Sequence, residues 1–231
     1  MKMVKAVIFD VDGTLVDSVD LHAWAWRDAL AEYGHPVTFD QARSQIGKGG
    51  DKLLPVFLTE AQQTSYGEEM EEWRGKHFKS TYLPMVRPFA AVPELFHRIR
   101  ADGLKIAVAS SAKKSELETY LAIAEIENLV DASISSEDAE QSKPESDIFD
   151  VTLQKLGLSA GEAIAIGDTP YDAEAARKAG IRAIGFLSGG FSEAELRRGG
   201  CETIYPGPAS LLACIETSLL CGRQTAEEIV K

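Results

Sequence analysis

The 231-residue sequence predicts an α/β fold, a parallel sheet with helices on both faces plus an inserted all-helical unit. Three observations predict it. Short unbroken apolar runs, Ala6-Val7-Ile8-Phe9, Lys105-Ile106-Ala107-Val108-Ala109 and Ala163-Ile164-Ala165-Ile166, suit strands buried on both faces. From residue 91 onward such runs alternate with helical patterns, and that alternation implies right-handed crossovers and a parallel sheet. Between Val16 and Tyr82, by contrast, no strong strand pattern occurs.

Taken in order, the first strand ends at Phe9, and Asp10 and Asp12 follow, with Gly13 free to turn sharply. Asp17 and Ser18 open a helical pattern that stops at Gly34. On this helix Trp24 and Trp26 lie on different faces, and at least one belongs in a core. Helical readings continue over Phe39 to Ile46, Lys52 to Leu58 and the charged stretch Glu60 to Lys79, where Glu68 to Glu72 reads as a solvated face. Pro84 and Pro88 mark the exit, because proline does not continue a helix. The expected division is a core of residues 1–16 and 86–231 and a helical unit of residues 17–85.

Next come a helix from Val92 to Ala101, the strand ending in Ser110-Ser111, a helix near 113–122 and a weaker strand near Ala132–Ile134. An acidic loop carrying Lys143-Pro144 leads to a helix from Ser146 to Leu156 and the strand that ends in Gly167-Asp168. Thr169 can cap the next helix with Pro170 at its first position, and that helix ends at Gly180. A shorter strand reads from Ile181 to Phe186, and residues 222–231 read as a frayed polar extension.

Composition narrows the classes. A net charge of −12 disfavours nucleic acid and anionic membranes as partners, while a bound cation would still allow a small anionic substrate. No apolar run approaches the roughly 20 residues that span a bilayer. The chain enters a strand pattern too early for a signal peptide, and three cysteines without CxxC spacing fit a reducing cytoplasm.

The three strongest strands end in Asp10, Ser110 and Asp168, and ligands of open α/β sheets bind at the carboxyl ends of strands. Carboxylates without a His or Cys cluster suit Mg²⁺ better than zinc. Asp10, Asp168 and the backbone carbonyl of Asp12 would be enough for magnesium, with Ser110 and Lys143 available to a phosphate. An aspartate can also serve as the nucleophile and a second one as the acid/base.

FDVDGTLVDS at residues 9–18 resembles the first signature of the haloacid dehalogenase-like superfamily, DxDGT after a strand. Ser110 resembles the second signature, Lys143 in SKPESDIF the third, and IGDTPYD the fourth, all in the family's order. The resemblance implies a Rossmann-like core with Asp10 as nucleophile and Asp12 as acid/base. It also implies Mg²⁺ held by Asp10, Asp12 and Asp168, with Ser110 and Lys143 on the phosphate. The insert resembles the helical cap of phosphoglycolate phosphatases and β-phosphoglucomutases, hinged near Val16–Ser18 and Leu83–Pro88. The function implied is hydrolysis of a small phosphorylated metabolite, a phosphate monoester of the sugar-phosphate or phosphoglycolate type, through an aspartyl-phosphate.

Several readings stay open at this level. Asp172 either completes a capping box with Thr169 or sits beside the metal ligands, and Ser111 either adds a hydroxyl to the phosphate or caps a helix. His22 either faces the active site or packs, and the Gly47-Lys48-Gly49-Gly50 turn is either a specificity loop or an ordinary helix connection. A β-phosphoglucomutase-like phosphomutase is the enzymatic alternative, although Lys48-Gly49-Gly50-Asp51 stands where those enzymes carry an arginine. A non-catalytic binding protein on the same fold is the other, opposed by the complete set Asp10, Asp12, Ser110, Lys143 and Asp168. Oligomeric state is not legible.

Overall fold

The computed structural model describes residues 3–139 and 143–221. Strand β1 (Ala6–Phe9) is followed by the two-residue β2 (Val16–Asp17) and then by helices α1 (Val19–Glu32), α2 (Phe39–Arg43), α3 (Gly50–Phe57), α4 (Glu60–Gln62) and α5 (Glu68–His77). Wider π-type turns at Gln63–Gly67 and Phe78–Tyr82 flank α5. The chain returns through β3 (Arg87–Pro88) to α6 (Val92–Ala101), β4 (Lys105–Ala109), α7 (Lys114–Ile123), β5 (Ala132–Ile134) and α8 (Asp147–Leu156). It closes with β6 (Ala163–Gly167), α9 (Pro170–Lys178), β7 (Arg182–Phe186), α10 (Glu193–Gly199), β8 (Cys201–Tyr205) and α11 (Pro208–Ala213).

The sheet has six strands in the order β5-β4-β1-β6-β7-β8, and every pairing in it is parallel. β1 lies between β4 and β6 and is fully buried, which accounts for its unbroken apolar sequence. Its side chains alternate between two cores. Val7 and Phe9 point to one with Phe96, Ile99 and Tyr120, while Ala6 and Ile8 point to the other with Phe149, Leu153 and Ala176. Phe9 stacks on Phe96 of α6 at 4.9 Å between ring centroids. Burying each such large side chain contributes about 1.5–3 kcal/mol. A third core, built on Trp26, Leu30, Leu53 and Met70, lies within the helices between β2 and β3.

β2 and β3 form a separate antiparallel pair, Val16 against Pro88 and Asp17 against Arg87, where the chain enters and leaves these helices. Proline suits this position because a two-strand ribbon is all edge. No described helix is long and apolar enough to cross a membrane.

The sequence reading missed the sixth strand. Cys201-Glu202-Thr203-Ile204-Tyr205 is an edge strand with only Cys201 buried, so it lacks the apolar run that marks the inner strands. The acidic run on α5 is also not a purely solvated face. Met70 is buried in the third core and Glu71 faces inward over a cavity, because a helix that turns one residue in its run to the core must turn its neighbours sideways. Trp26 is the core tryptophan of the pair on α1, and Trp24 packs on Phe39 with Arg27 over its ring. The polar tail at 222–231 lies outside the described residues.

Candidate active site

The parallel register sets the site. Phe9 pairs with Val108 on one side and Ile166 on the other, so the residues just past the three strand ends, Asp10, Ser110 and Asp168, leave the sheet together at its carboxyl edge. The Asp10 amide still donates to the Ile166 carbonyl at 2.8 Å, which fixes the start of the loop. Gly13 then turns with φ +79, and a Cβ there would lie 2.4 Å from Asp168 Oδ2. Gly189, after β7, closes on the same atom from the other side, where a Cβ would lie 1.7 Å away. Two glycines thus make room for one carboxylate.

Asp10, Asp168 and Asp172 form a buried cluster whose nearest oxygens all lie within 4.8 Å of one another. Lys143 Nζ meets it at 2.5 Å from Asp10 Oδ1 and 2.7 Å from Asp172 Oδ1, and donates to the Ala109 carbonyl at 3.0 Å. One ammonium does not neutralise three carboxylates. Burial, with Asp172 and Asp12 adding to it, pushes the Asp10 carboxyl up to about 7 despite Lys143. Burial and the Asp10 charge raise Asp168 well above the carboxylate range. Burial alone would depress the Lys143 ammonium, but Asp10 and Asp172 outweigh it and hold it above its ordinary value.

The residues fit a divalent cation. Asp168 Oδ1 accepts from Thr14 Oγ1 at 2.8 Å, while its Oδ2 is buried without a hydrogen-bond partner. An orphaned buried oxygen on a carboxylate clustered with two more is costly unless a cation uses it. All the donors are oxygens, which suits a hard ion such as Mg²⁺. The Asp12 side chain turns away from the cluster, leaving its backbone carbonyl as its only route to a metal, and Asp172 takes its place in the cluster.

Asp12 has a different environment. Its Oδ1 accepts from Ser18 Oγ at 2.6 Å and lies 3.0 Å from His22 Nε2. Arg74 Nη1 of α5 approaches His22 Nδ1 at 3.3 Å. A guanidinium only donates, so Nδ1 accepts and the Nε2 proton is directed at Asp12 and at the Tyr120 hydroxyl, 3.0 Å away. His22 also stacks on Phe78 at 4.1 Å between ring centroids. Burial would raise the Asp12 carboxyl, but His22 and then Ser18 outweigh it and hold it below the usual range.

The remaining expected residues divide. Ser110 is buried, and its Oγ accepts from the Ala112 amide at 3.0 Å, a local turn bond; Ser111 and Ala112 are the ones that line the cavity. Asp172 does both things left open for it: it completes the capping box with Thr169 through Oδ2 and binds Lys143 through Oδ1. Gly47 rests on Thr169, with φ +104 and room for no Cβ, since one would lie 2.8 Å from the threonine methyl. Lys48 donates to Gln45 at 2.7 Å and sits over the Tyr171 ring at 5.6 Å.

These groups open onto one cavity of about 640 Å³, floored by the carboxylates and roofed by Gly47 to Asp51 and α5. Arg43 of α2 bridges roof and floor. Its Nη2 donates to the Gly189 carbonyl at 2.5 Å and its Nε to Asp20 at 2.6 Å, while Ser188 donates to the Gly13 carbonyl at 2.6 Å. Sequence reasoning missed Thr14, Arg43, Glu71, Arg74 and Gly189. Only Thr14, inside the DGT run, carried a local signal.

Residues 7–186 match the family model described as haloacid dehalogenase-like hydrolase. A phosphorylated carbohydrates phosphatase of Thermotoga maritima is 26% identical over 180 residues, covering 78% of this chain and 83% of that protein. A phosphoglycolate phosphatase of Aquifex aeolicus is 28% identical over 179 residues, covering 77% and 82%. The crystal structure of a hydrolase from Pseudomonas syringae superposes with a TM-score of 0.84 at 27% identity, over 92% of this chain and 98% of that one.

Proposed function

The chain belongs to the haloacid dehalogenase-like hydrolase family, and on that premise we propose that it is a Mg²⁺-dependent phosphatase of small phosphate monoesters, acting through an aspartyl-phosphate on Asp10. The observation that carries this reading is the contrast between its two aspartates. Asp10 lies in the carboxylate cluster against Lys143, whereas Asp12 is held apart by His22 and Ser18.

A divalent cation bound by Asp10, Asp168 and the Asp12 carbonyl, with Asp172 beside it, would supply positive charge that keeps the carboxylates ionised and offsets that of a phosphate. The chain's own residues do the rest. An Asp10 oxygen attacks phosphorus and the ester oxygen leaves; Asp12 gives that oxygen its proton. Asp12, now ionised, takes a proton from the water that attacks the phosphoryl group, releasing phosphate and restoring Asp10. The bonds from His22 and Ser18 favour the ionised form of Asp12, which makes it a stronger acid toward the leaving oxygen and a weaker base, and hold it in line. Lys143 anchors Asp10 and offers its charge to the phosphoryl oxygens, with Ser111 and the turn at Ser110 on the same wall. Residues 17–85 act as the cap, excluding water while Asp10 is phosphorylated, with β2 and β3 as the hinge.

The phosphomutase alternative finds no arginine in the Lys48-Gly49-Gly50-Asp51 turn. Phosphate release from a panel of sugar phosphates, phosphoglycolate and nucleotides, with Mg²⁺ and with chelator, tests the proposal. Turnover of at least one ester that chelator abolishes supports it. Turnover indifferent to chelator, or isomerisation of a hexose phosphate without phosphate release, contradicts it.

A further inference from the structure

We propose that Glu71 and Arg74 of α5 are the specificity-determining residues, reading hydroxyls of an uncharged polyol leaving group that lies across Gly75. The proposal rests on the phosphatase reading and narrows its substrate class. Glu71 and Arg74 are three residues apart on one helix, so their side chains share a face, and both line the cavity. Gly75 lines it too, and a Cβ built there has nothing within 4 Å. Glycine inside a helix is unfavourable relative to alanine, so the space left by its missing side chain calls for an occupant.

Both flanking groups have unused hydrogen-bonding capacity. Glu71 accepts no hydrogen bond among the described residues, and burial raises its carboxyl, with Arg74 and Lys113 opposing at a distance. Its Oε1 fits against α3 only because residue 50 is glycine, where a Cβ would lie 2.0 Å away. Arg74 spends Nη1 on His22 and lays its guanidinium over Trp26 at 5.1 Å, while its accessible Nη2 has no hydrogen-bond partner among the described residues. An acceptor and a donor about one turn apart match a hydroxyl-bearing chain, since each hydroxyl both donates and accepts. A leaving group ending in a carboxylate would instead bring negative charge against Glu71. The cavity also exceeds what a two-carbon acid fills.

The test compares kcat/KM for a hexitol phosphate and for phosphoglycolate in the wild type, Glu71→Ala and Gly75→Leu, with thermal melts to confirm folding. The expected result is a wild-type preference for the hexitol phosphate of about tenfold or more, the size of one hydrogen bond to a charged group. Each variant should collapse that preference, Glu71→Ala by removing the acceptor and Gly75→Leu by filling the space. A preference that both variants leave unchanged, or a wild type that favours phosphoglycolate, overturns the proposal while the phosphatase reading stands. A wild type that releases phosphate from no ester overturns that reading, and the proposal with it.

Discussion

Replacing Asp10 by asparagine should abolish turnover and at the same time stabilise the fold. Asparagine has nearly the same shape and keeps an oxygen for Lys143 Nζ, which also retains Asp172 at 2.7 Å and the Ala109 carbonyl at 3.0 Å. What it removes is a carboxylate whose value rises from 3.8 to about 7 on folding, chiefly through burial. The folded value exceeds the unfolded one, so the folded state binds more protons, and stability is lost as pH climbs from about 4 to about 7. The full shift corresponds to a ceiling of about 4 kcal/mol above that window. Halving it for the coupling to Lys143 and Asp172 leaves about 2 kcal/mol, or a Tm higher by roughly 4–8 °C for a chain of this size. Melts by circular dichroism in chelator at about pH 8, repeated at about pH 5 where the gain should shrink, measure it directly. A variant that melts below wild type at the higher pH would refute the claim that the cluster is held under repulsion. A variant retaining more than about 1% of the phosphatase rate would refute the nucleophile, since losing the attacking group costs many orders of magnitude.

Three further outcomes follow from the same geometry. Wild-type protein in chelator should lose stability as pH rises through the window set by Asp10, with Asp168 acting in the same direction; saturating Mg²⁺ should flatten that slope, and parallel slopes would contradict a cation site there. Lys143→Met leaves Asp10 and Asp172 buried without their counter-charge and should cost about 3–5 kcal/mol near pH 8 in denaturant melts, much less near pH 5, whereas an equal loss at both would deny the ion pairs. Arg43→Met keeps the stem but removes the bridge to Gly189 and Asp20, so KM should rise about tenfold with kcat within about twofold; an unchanged KM would mean that the bridge does not hold the roof down.

The inner sheet was legible because β1, β4 and β6 are buried on both faces and so carry apolar runs that no surface element shares. β8 was not, since an edge strand with one buried residue has no such constraint. Floor residues were legible for a related reason. A carboxylate at the end of a buried strand contradicts its local context, and Asp10 and Asp168 carry that contradiction in sequence. Glu71 and Arg74 contradict nothing, because a charged residue on a charged helix is ordinary, and only the packing of α5 over the cavity gives them a surface to act on. Ser110 shows the converse, a residue in the expected place whose Oγ meets the Ala112 amide in a local turn.

The central claim, that Asp10 carries the phosphoryl group, is tested most directly by quenching the enzyme in acid during turnover of a phosphate ester and mapping phosphorylation by mass spectrometry. One phosphoryl group on the peptide containing Asp10, absent from Asp10→Asn and from enzyme turned over in chelator, is the predicted result. A phosphoryl group on any other residue, or none while phosphate is being released at full rate, would contradict the account.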